Sequence, residues 1–572
     1  MKQNIKVFQN SSELWENFLE WNPQLFREVK GRLKTRNVVI AAGISVITQL
    51  VISLSFLGQL PEPIVNPLDN LDQYSRYCFN ATPPQSGNIS CQTDLLGNWL
   101  INWQLLWLDL FIALSIVSIF ALLVIGTYML IADTVKEENR GTLNFIRLTP
   151  QSASSILTGK ILGVPILFYL VILLALPLQL MAGLSAHIPL SLIIAFDAVI
   201  VASCALFYSA ALLWSLMNFG LSGFKPWLAS GAVLFSLYVL NQGFFGSMPI
   251  SHTPFDWLVL FNPGVALAYL TDATYLPSEQ INYLKVEELG TLLFYGQALW
   301  TKASTGIGFI LFNFSLCTYW CWSVLKRRFH NPEHTLVSKT QSYWLTGWFV
   351  AISLGFTLQS TRGNHLGDNF IILQCFISIF ALGLVAALSP HRQALHDWAR
   401  YRHQVKKEGN ILWKELVLGE NSPSTIAIAI NLLIATVYIV PSLLLFPLEN
   451  EASAIFWGLL LSVNILLMYA VVAQLILTVK NRKRAVWSVI TILALIVAPP
   501  MCLGLLEILP DSVPQMWFFT FVPTVATEYA TLSNVMLAIL GQWLVISLAG
   551  FQLTRKLKQA GASETKLLFN SN

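Results

Sequence analysis

Charge is scarce in this sequence. Of 572 residues only 11% are Asp, Glu, Lys or Arg, while 55% are hydrophobic. A soluble globular domain carries about a quarter of charged residues, so a water-soluble fold is excluded and an integral membrane protein is expected. A basic tip followed by an apolar core is also missing from the first 37 residues, which are polar and amphipathic, so no cleavable signal peptide is expected. Basic residues are absent from 509 to 531, and no group of His, Asp and Glu is arranged for catalysis at one membrane face. The net charge of +4 is read as topology, with no nucleic-acid partner.

Long apolar runs take the place of charge. About 20 apolar residues in helical form cross roughly 30 Å of hydrocarbon. Runs of that kind lie at 38–60, 104–132, 158–184, 189–217, 227–245, 303–325, 343–360, 369–389, 424–447, 453–478, 486–508 and 533–554. The expectation is an all-α integral membrane protein with about 12 transmembrane helices, 227–245 and 343–360 being the weakest of them. Basic residues are retained on the cytoplasmic side. With the N-terminus inside, 30 of the 34 Lys and Arg fall on inner segments or their membrane ends, and only Arg76, Lys285, Lys302 and Arg362 fall outside. Both termini are therefore expected in the cytoplasm, in a multi-pass protein of the plasma (inner) membrane.

The organisation that follows is a cytoplasmic amphipathic segment 1–37, a first transmembrane half 38–325, a basic linker 326–342, a second half 343–555 and a tail 556–572. Inner segments are expected at 133–157 and 390–422, and outer ones at 61–103 and 246–300, the latter holding short helices on the outer surface. Cys78 and Cys91, in the first outer segment, are candidates for a disulfide; Cys204, Cys317, Cys321, Cys375 and Cys502 lie in or beside spans as small hydrophobes. Two N-glycosylation triplets, at Asn80 and Asn88, are read as chance.

Ser11 or Ser12 is expected to cap a first short helix, and Asn22-Pro23 to restart it as PQLFREVKGRLKTR. There Leu25, Phe26, Val29 and Leu33 share one face and Arg27, Lys30, Arg32, Lys34 and Arg36 the other, the pattern of a helix lying along a membrane surface. An internal echo pairs Trp257, Phe261, Pro263, Val265, Ala266, Tyr269 and Thr271 with Trp517, Phe521, Pro523, Val525, Ala526, Tyr529 and Thr531 at identical spacing. A fainter one pairs Phe26-Arg27-Glu28-Val29 with Trp413-Lys414-Glu415-Leu416. Two related halves, the second degenerate, are expected.

The segment KEENRGTLNFIRLTP, 136–150, interrupts the apolar pattern. Gly141 is expected to end a long helix, Thr142 to cap a helical turn, and Thr149-Pro150 to start the next helix. Lys136, Glu137, Glu138 and Arg140 form a charged collar around an apolar knob of Leu143, Phe145, Ile146 and Leu148. A collar and knob of this kind suits a short helix that docks in a groove of another protein, or a loop that dips into the headgroup region.

The order Glu138-x-Arg140-Gly141-Thr142-Leu143 followed by Leu148-Thr149-Pro150, between a second and a third span, resembles the coupling segment of ABC-2 type ABC transporter permeases. Asn22-Pro23 with Phe26-Arg27-Glu28 resembles the interfacial helix of the same family, and the likeness in order and topology covers roughly residues 20 to 330. The resemblance implies a permease subunit, an exporter, that is itself no enzyme. ATP and Mg would sit on a separate ABC ATPase subunit, contacted by Glu137, Glu138, Arg140, Gly141, Thr142, Leu143, Phe145 and Ile146 and braced by Phe26, Arg27 and Glu28. The second half departs from the pattern, its inner loop Lys480 to Arg484 having no Arg-Gly-Thr, which leaves open a second permease chain or a homodimer beside membrane lipid as partners. No P-loop occurs: Ser154 to Lys160 has Ser where the first Gly belongs.

Other chemistry is thin. His391, His396 and His403 do not share one helix face, and Arg392, Arg400 and Arg402 would repel a cation, so no metal site is assigned. Asp109 is read as hydrated near a membrane face, and Asp197 as lining a pathway or bonding to a neighbouring helix. Alternative functions are an ion-gradient-driven secondary transporter, with Asp133 to Arg140 as a gate, a membrane-embedded enzyme acting on lipid or glycan, and a scaffold subunit.

Overall fold

The structure, a computed structural model, describes residues 21–61, 75–79, 91–95, 98–217, 223–245, 251–276, 289–359, 366–404, 409–446 and 451–569. The expected cap at Ser11 or Ser12 and both glycosylation triplets lie outside them. The chain divides into two compact units, one of Met1–Ser251, Leu258–Leu292 and Ala298–His330, the other of His252–Trp257, Leu293–Gln297 and Asn331–Asn572. Strand is confined, among the described residues, to β1 (Leu293–Phe294), β2 (Gln297–Ala298) and two isolated bridges.

The first unit runs α1 (Pro23–Arg32), α2 (Thr35–Leu57), α3 (Trp103–Phe120), a π-helical turn (Ala121–Ile125), α4 (Gly126–Asn139), α5 (Thr142–Arg147), α6 (Ala153–Gly163), α7 (Ile166–Ser185), α8 (Leu190–Ser215) and α9 (Lys225–Phe245). After α10 (Asp256–Val259), where the chain changes unit, come α11 (Val265–Asp272) and α12 (Ala303–His330). The second unit holds α13 (Lys339–Thr357), α14 (Leu366–Leu388), α15 (Arg392–Gln404), α16 (Gly409–Leu418), α17 (Thr425–Leu445), α18 (Glu451–Leu477), α19 (Arg484–Leu505), α20 (Pro514–Trp517), α21 (Thr524–Thr527) and α22 (Leu532–Phe569).

Among the described residues, ten helical stretches are long and apolar enough to cross a membrane, with α3 to α4 counting as one continuous helix of 37 residues. This is a multi-pass, all-helical membrane protein. The two weakest sequence spans, now α9 and α13, are helical but fall outside the ten. In α13 polar side chains are met by a neighbouring helix: Thr346 Oγ1 donates to Asn431 Oδ1 on α17 (2.7 Å), and Asn431 Nδ2 donates to Ser342 Oγ (2.9 Å). The low hydropathy of α13 comes chiefly from its polar first turn with Lys339 and Gln341, and interhelical bonds satisfy the hydroxyls further along it.

Two features differ from the sequence reading, a helix boundary and the burial of α11. The run at 158–184 is two helices, because α6 ends at Gly163 and Pro165 precedes a new start at Ile166. The helix carrying the span 104–132 continues to Asn139, as the break expected at Gly141 requires, its last acids being matched by cations from other helices. Short helices do occur in 246–300, but α11 is not surface-lying: Val265, Ala266, Leu267, Ala268 and Leu270 are all fully buried. The sequence echo falls on matching local structure, with α10 and α11 ahead of α12 and α20 and α21 ahead of α22.

Residues 75–79 and 91–95 are joined covalently and packed against the start of α3. Cys78 and Cys91 form a disulfide, with Cα atoms 5.4 Å apart. Beside it Arg76 Nε lies 2.8 Å from Asp109 Oδ2, and the Tyr77 hydroxyl donates to the same oxygen at 3.0 Å. Asp109 is therefore buried and paired, contrary to its reading as hydrated, because a loop remote in sequence folds back to supply the cation.

At the start of α13, Ser338 and Gln341 form a reciprocal capping box. The Lys339 side chain turns inward at 2% exposure and donates to Leu416 O (2.7 Å), Ser422 Oγ (2.6 Å) and Pro423 O (3.0 Å). All three acceptors are neutral, and burial pushes the ammonium down to about 8. In the unfolded chain the pKa returns to about 10.4, so between these values the unfolded state binds the extra proton and stability rises with pH. The wild-type chain should therefore gain on the order of 1–3 kcal/mol relative to Lys339→Met between pH 8 and 10. Thermal unfolding of both in the same detergent checks this, and parallel pH profiles would exclude it.

Candidate functional site at the charged end of the long helix

The α3–α4 helix carries a π-helical turn where Tyr208 of α8 donates its hydroxyl to the Leu122 carbonyl at 2.8 Å. Gly126 faces the same ring, where any Cβ would overlap the Tyr208 hydroxyl. Turns of this kind shift the register of a helix and recur at functional positions. Beyond it α4 delivers Asp133, Glu137 and Glu138 to its end, and Gly141 then reverses the chain at φ +73°, a conformation that favours glycine.

Gly141, not Thr142, stands at the cap position of α5, and Thr142 instead bonds back to Glu137 O through Oγ1 (3.1 Å). Likewise Ser152, not Thr149, caps α6, since Thr149 Oγ1 is used by Ile146 O at 2.7 Å. The apolar knob is divided. Leu143 and Ile146 are buried at 2% and 7%, whereas Phe145 and Leu148 stand 80% and 85% exposed. Arg147 lies over the Phe329 ring at 5.7 Å, tying α5 to the end of α12. Burial pushes its guanidinium below the usual value, against the raising influence of Glu138.

Behind α5 three carboxylates converge. Oxygens of Glu28, Asp133 and Glu137 lie within 4.8 Å of one another. Like charges so close are held only by counter-charge, and three cations supply it. Lys160 Nζ, 1% exposed, sits 2.9 Å from Asp133 and 2.6 Å from Glu137. Arg32 reaches Asp133 at 2.7 Å and Glu28 at 3.2 Å. Arg27 reaches Glu137 at 2.6 Å and Glu28 at 3.0 Å. The acids could in principle chelate a divalent ion, but the ammonium and guanidinium groups already occupy and neutralise that space.

Backbone packing makes the knot possible. Asn22 caps α1, accepting from Leu25 N at 3.0 Å, with Pro23 in the first turn as expected. Asn22 also donates to Ser155 O at 2.8 Å, joining α1 to α6. Gly159 and Gly163, one turn apart on α6, meet Asn22, Gln24, Leu25 and Glu28 so closely that a Cβ at either would collide. This small-xxx-small stripe lets the α1 backbone approach α6 and sets Glu28 against Gly163. The buried face of α1 consequently includes Gln24 and Glu28 with Leu25 and Val29, while Leu33 is exposed, unlike the simple apolar stripe read from sequence.

No family model, curated protein or solved structure matches this chain.

Of the residues singled out in the sequence, Arg27, Glu28 and Glu137 meet in the knot, and Glu138 approaches Lys225 of α9 at 3.9 Å. Arg140, Gly141, Thr142 and Phe145 are exposed. Phe26 lies apart from the knot, under Lys30 at 5.5 Å. Asp197 accepts a long bond from Gln179 of α7 (3.5 Å), the neighbouring-helix alternative. Sequence reasoning missed Lys160, Arg32 and the Gly159/Gly163 stripe. The available signal was a lone lysine inside a supposed span, which requires a buried partner.

Breaking a buried ion pair from one side costs about 3–5 kcal/mol, an exposed one less than about 1 kcal/mol. Lys160→Met should thus lower stability by about the former amount and Arg27→Gln by about the latter, its side chain being 50% exposed. Thermal unfolding in detergent measures both; equal effects would show that the knot is not centred on Lys160.

Proposed function

We propose that this protein is the transmembrane permease subunit of an ATP-driven transporter of ABC-2 type, most simply an exporter, whose ATPase is a separate chain. The observation that carries the reading is the pair Phe145 and Leu148, exposed on a short helix whose other face is anchored. Two large apolar side chains beside Arg140 and Lys136 suit a groove on a partner protein. The likeness of residues 138–150 to the coupling segment of these permeases names that partner as an ABC ATPase, carrying ATP and Mg.

In this reading about twelve helices in two related halves span a plasma membrane of prokaryotic type, with both termini cytoplasmic. ATPase closure moves α5, and the knot transmits that motion to α1, α4 and α6 together because their charges cannot separate cheaply. The π-helical turn at 121–125 gives the long helix a place to yield. Helix packing then changes between inward- and outward-open states. Ion coupling finds little support, since Asp109 is engaged by Arg76 and Tyr77 and Asp197 by Gln179.

The test is purification from the native membrane in mild detergent, with identification of co-purifying chains and an ATPase assay. Phe145→Ser with Leu148→Ser should leave unfolding temperature unchanged, both being exposed, yet lose the ATPase partner or uncouple its hydrolysis. Retention of the partner with normal coupling, or no ATPase at all while other partners persist, would refute the assignment.

A further inference from the structure

The second unit contains a cavity of about 450 Å³ that the transport reading does not use. It lies where the end of α14, the end of α18 and the start of α19 come together beside the start of α15. Its lining divides by chemistry. His391, Arg392 and Arg484 stand at these helix ends, whereas Tyr469, Ile492 and Ile496 lie two to three turns further along their helices. No Asp or Glu lines it. From Arg484 to Ile496 the wall extends about 18 Å along the helix axis, at 1.5 Å per residue.

The wall's own polar groups are turned to the protein. Tyr469 donates its hydroxyl to Leu495 O at 3.2 Å, and Ser389 donates to Val385 O at 2.6 Å while accepting from Gln474 Nε2 at 3.0 Å. Arg392 Nε donates to Thr478 O at 3.0 Å, which fixes the orientation of the guanidinium fork. The interior is thus apolar, with its cationic groups gathered at one end. Val489 and Leu493 both line the cavity and stand 66% and 60% exposed, so it opens on a face of α19 where Val486 and Ile490 are also exposed. Trp487, in the first turn of the same helix, is 53% exposed, as suits an aromatic at a membrane–water interface.

We infer that this cavity binds an anionic phospholipid, with the headgroup phosphate between Arg392 and Arg484 and an acyl chain along α19 toward Ile496. A free phosphate would use the arginines and leave the apolar wall uncovered. A zwitterionic lipid would fill the wall but leave the cationic end uncompensated. Basic pockets between membrane helices select acidic headgroups on this principle. The proposal does not depend on the role assigned to α5.

The experiment uses the full chain, delipidated in mild detergent, with native mass spectrometry and thermal shift as readouts. Phosphatidylglycerol, phosphatidylcholine of the same chains and inorganic phosphate are added separately. Phosphatidylglycerol should bind roughly ten-fold more tightly than phosphatidylcholine, and Arg392→Gln with Arg484→Gln should remove that preference. Lys480→Gln with Arg482→Gln, exposed basic residues outside the lining, should preserve it. Inorganic phosphate at equal concentration should not compete. Should the double variant misfold, Arg484→Gln alone should still reduce the preference several-fold. Equal affinity for the two lipids, equal loss in the Lys480/Arg482 control, or full competition by phosphate would each overturn the site.

Discussion

A buried ammonium group with two carboxylates within 3 Å organises the first unit. Lys160 is 1% exposed, so its charge is balanced by the protein, through Asp133 and Glu137. Those acids belong to α4, the ammonium to α6, and the arginines that complete their neutralisation to α1. Three helices are thereby locked at one end, and the segment between α4 and α6, which carries α5, is held at both its roots. Coulombic attraction at low dielectric is strong enough to resist separation, and desolvation would make any unpaired member costly.

The same economy recurs at three other polar groups within the helical body. Asp109 takes Arg76 and Tyr77, Asn431 takes Thr346 and Ser342, and Lys339 takes two carbonyls and a hydroxyl. In each case the partners come from segments distant in sequence. Polar side chains in an apolar surround find each other because the alternative is an unsatisfied group costing several kcal/mol.

Anchoring and exposure divide labour on α5. Leu143 and Ile146 are buried in the protein, so they fix the helix, whereas Phe145 and Leu148 offer the surface a partner would meet. A six-residue helix is not stable alone; its conformation here depends on Gly141, on the Thr142 bond to Glu137 and on Arg147 over Phe329. In the proposed coupling, that dependence would carry a displacement of α5 into α4 and α12.

The helical, membrane-spanning character was legible from composition and run length alone, because the bilayer demands apolar helices of a set length. So were the Asn22-Pro23 helix start, the Gly141 break and the Cys78–Cys91 pair, which depend on local chemistry. The periodicity of α1 was legible, but its burial was not: Glu28 sits on the packed face, against Gly163, where Arg27 and Arg32 meet it. Which acid pairs with which base, which half of the knob is exposed, and whether α11 lies on a surface or inside were decided by tertiary structure. Sequence records local preference and hydropathy, whereas these outcomes depend on which helices approach closely enough to exclude water.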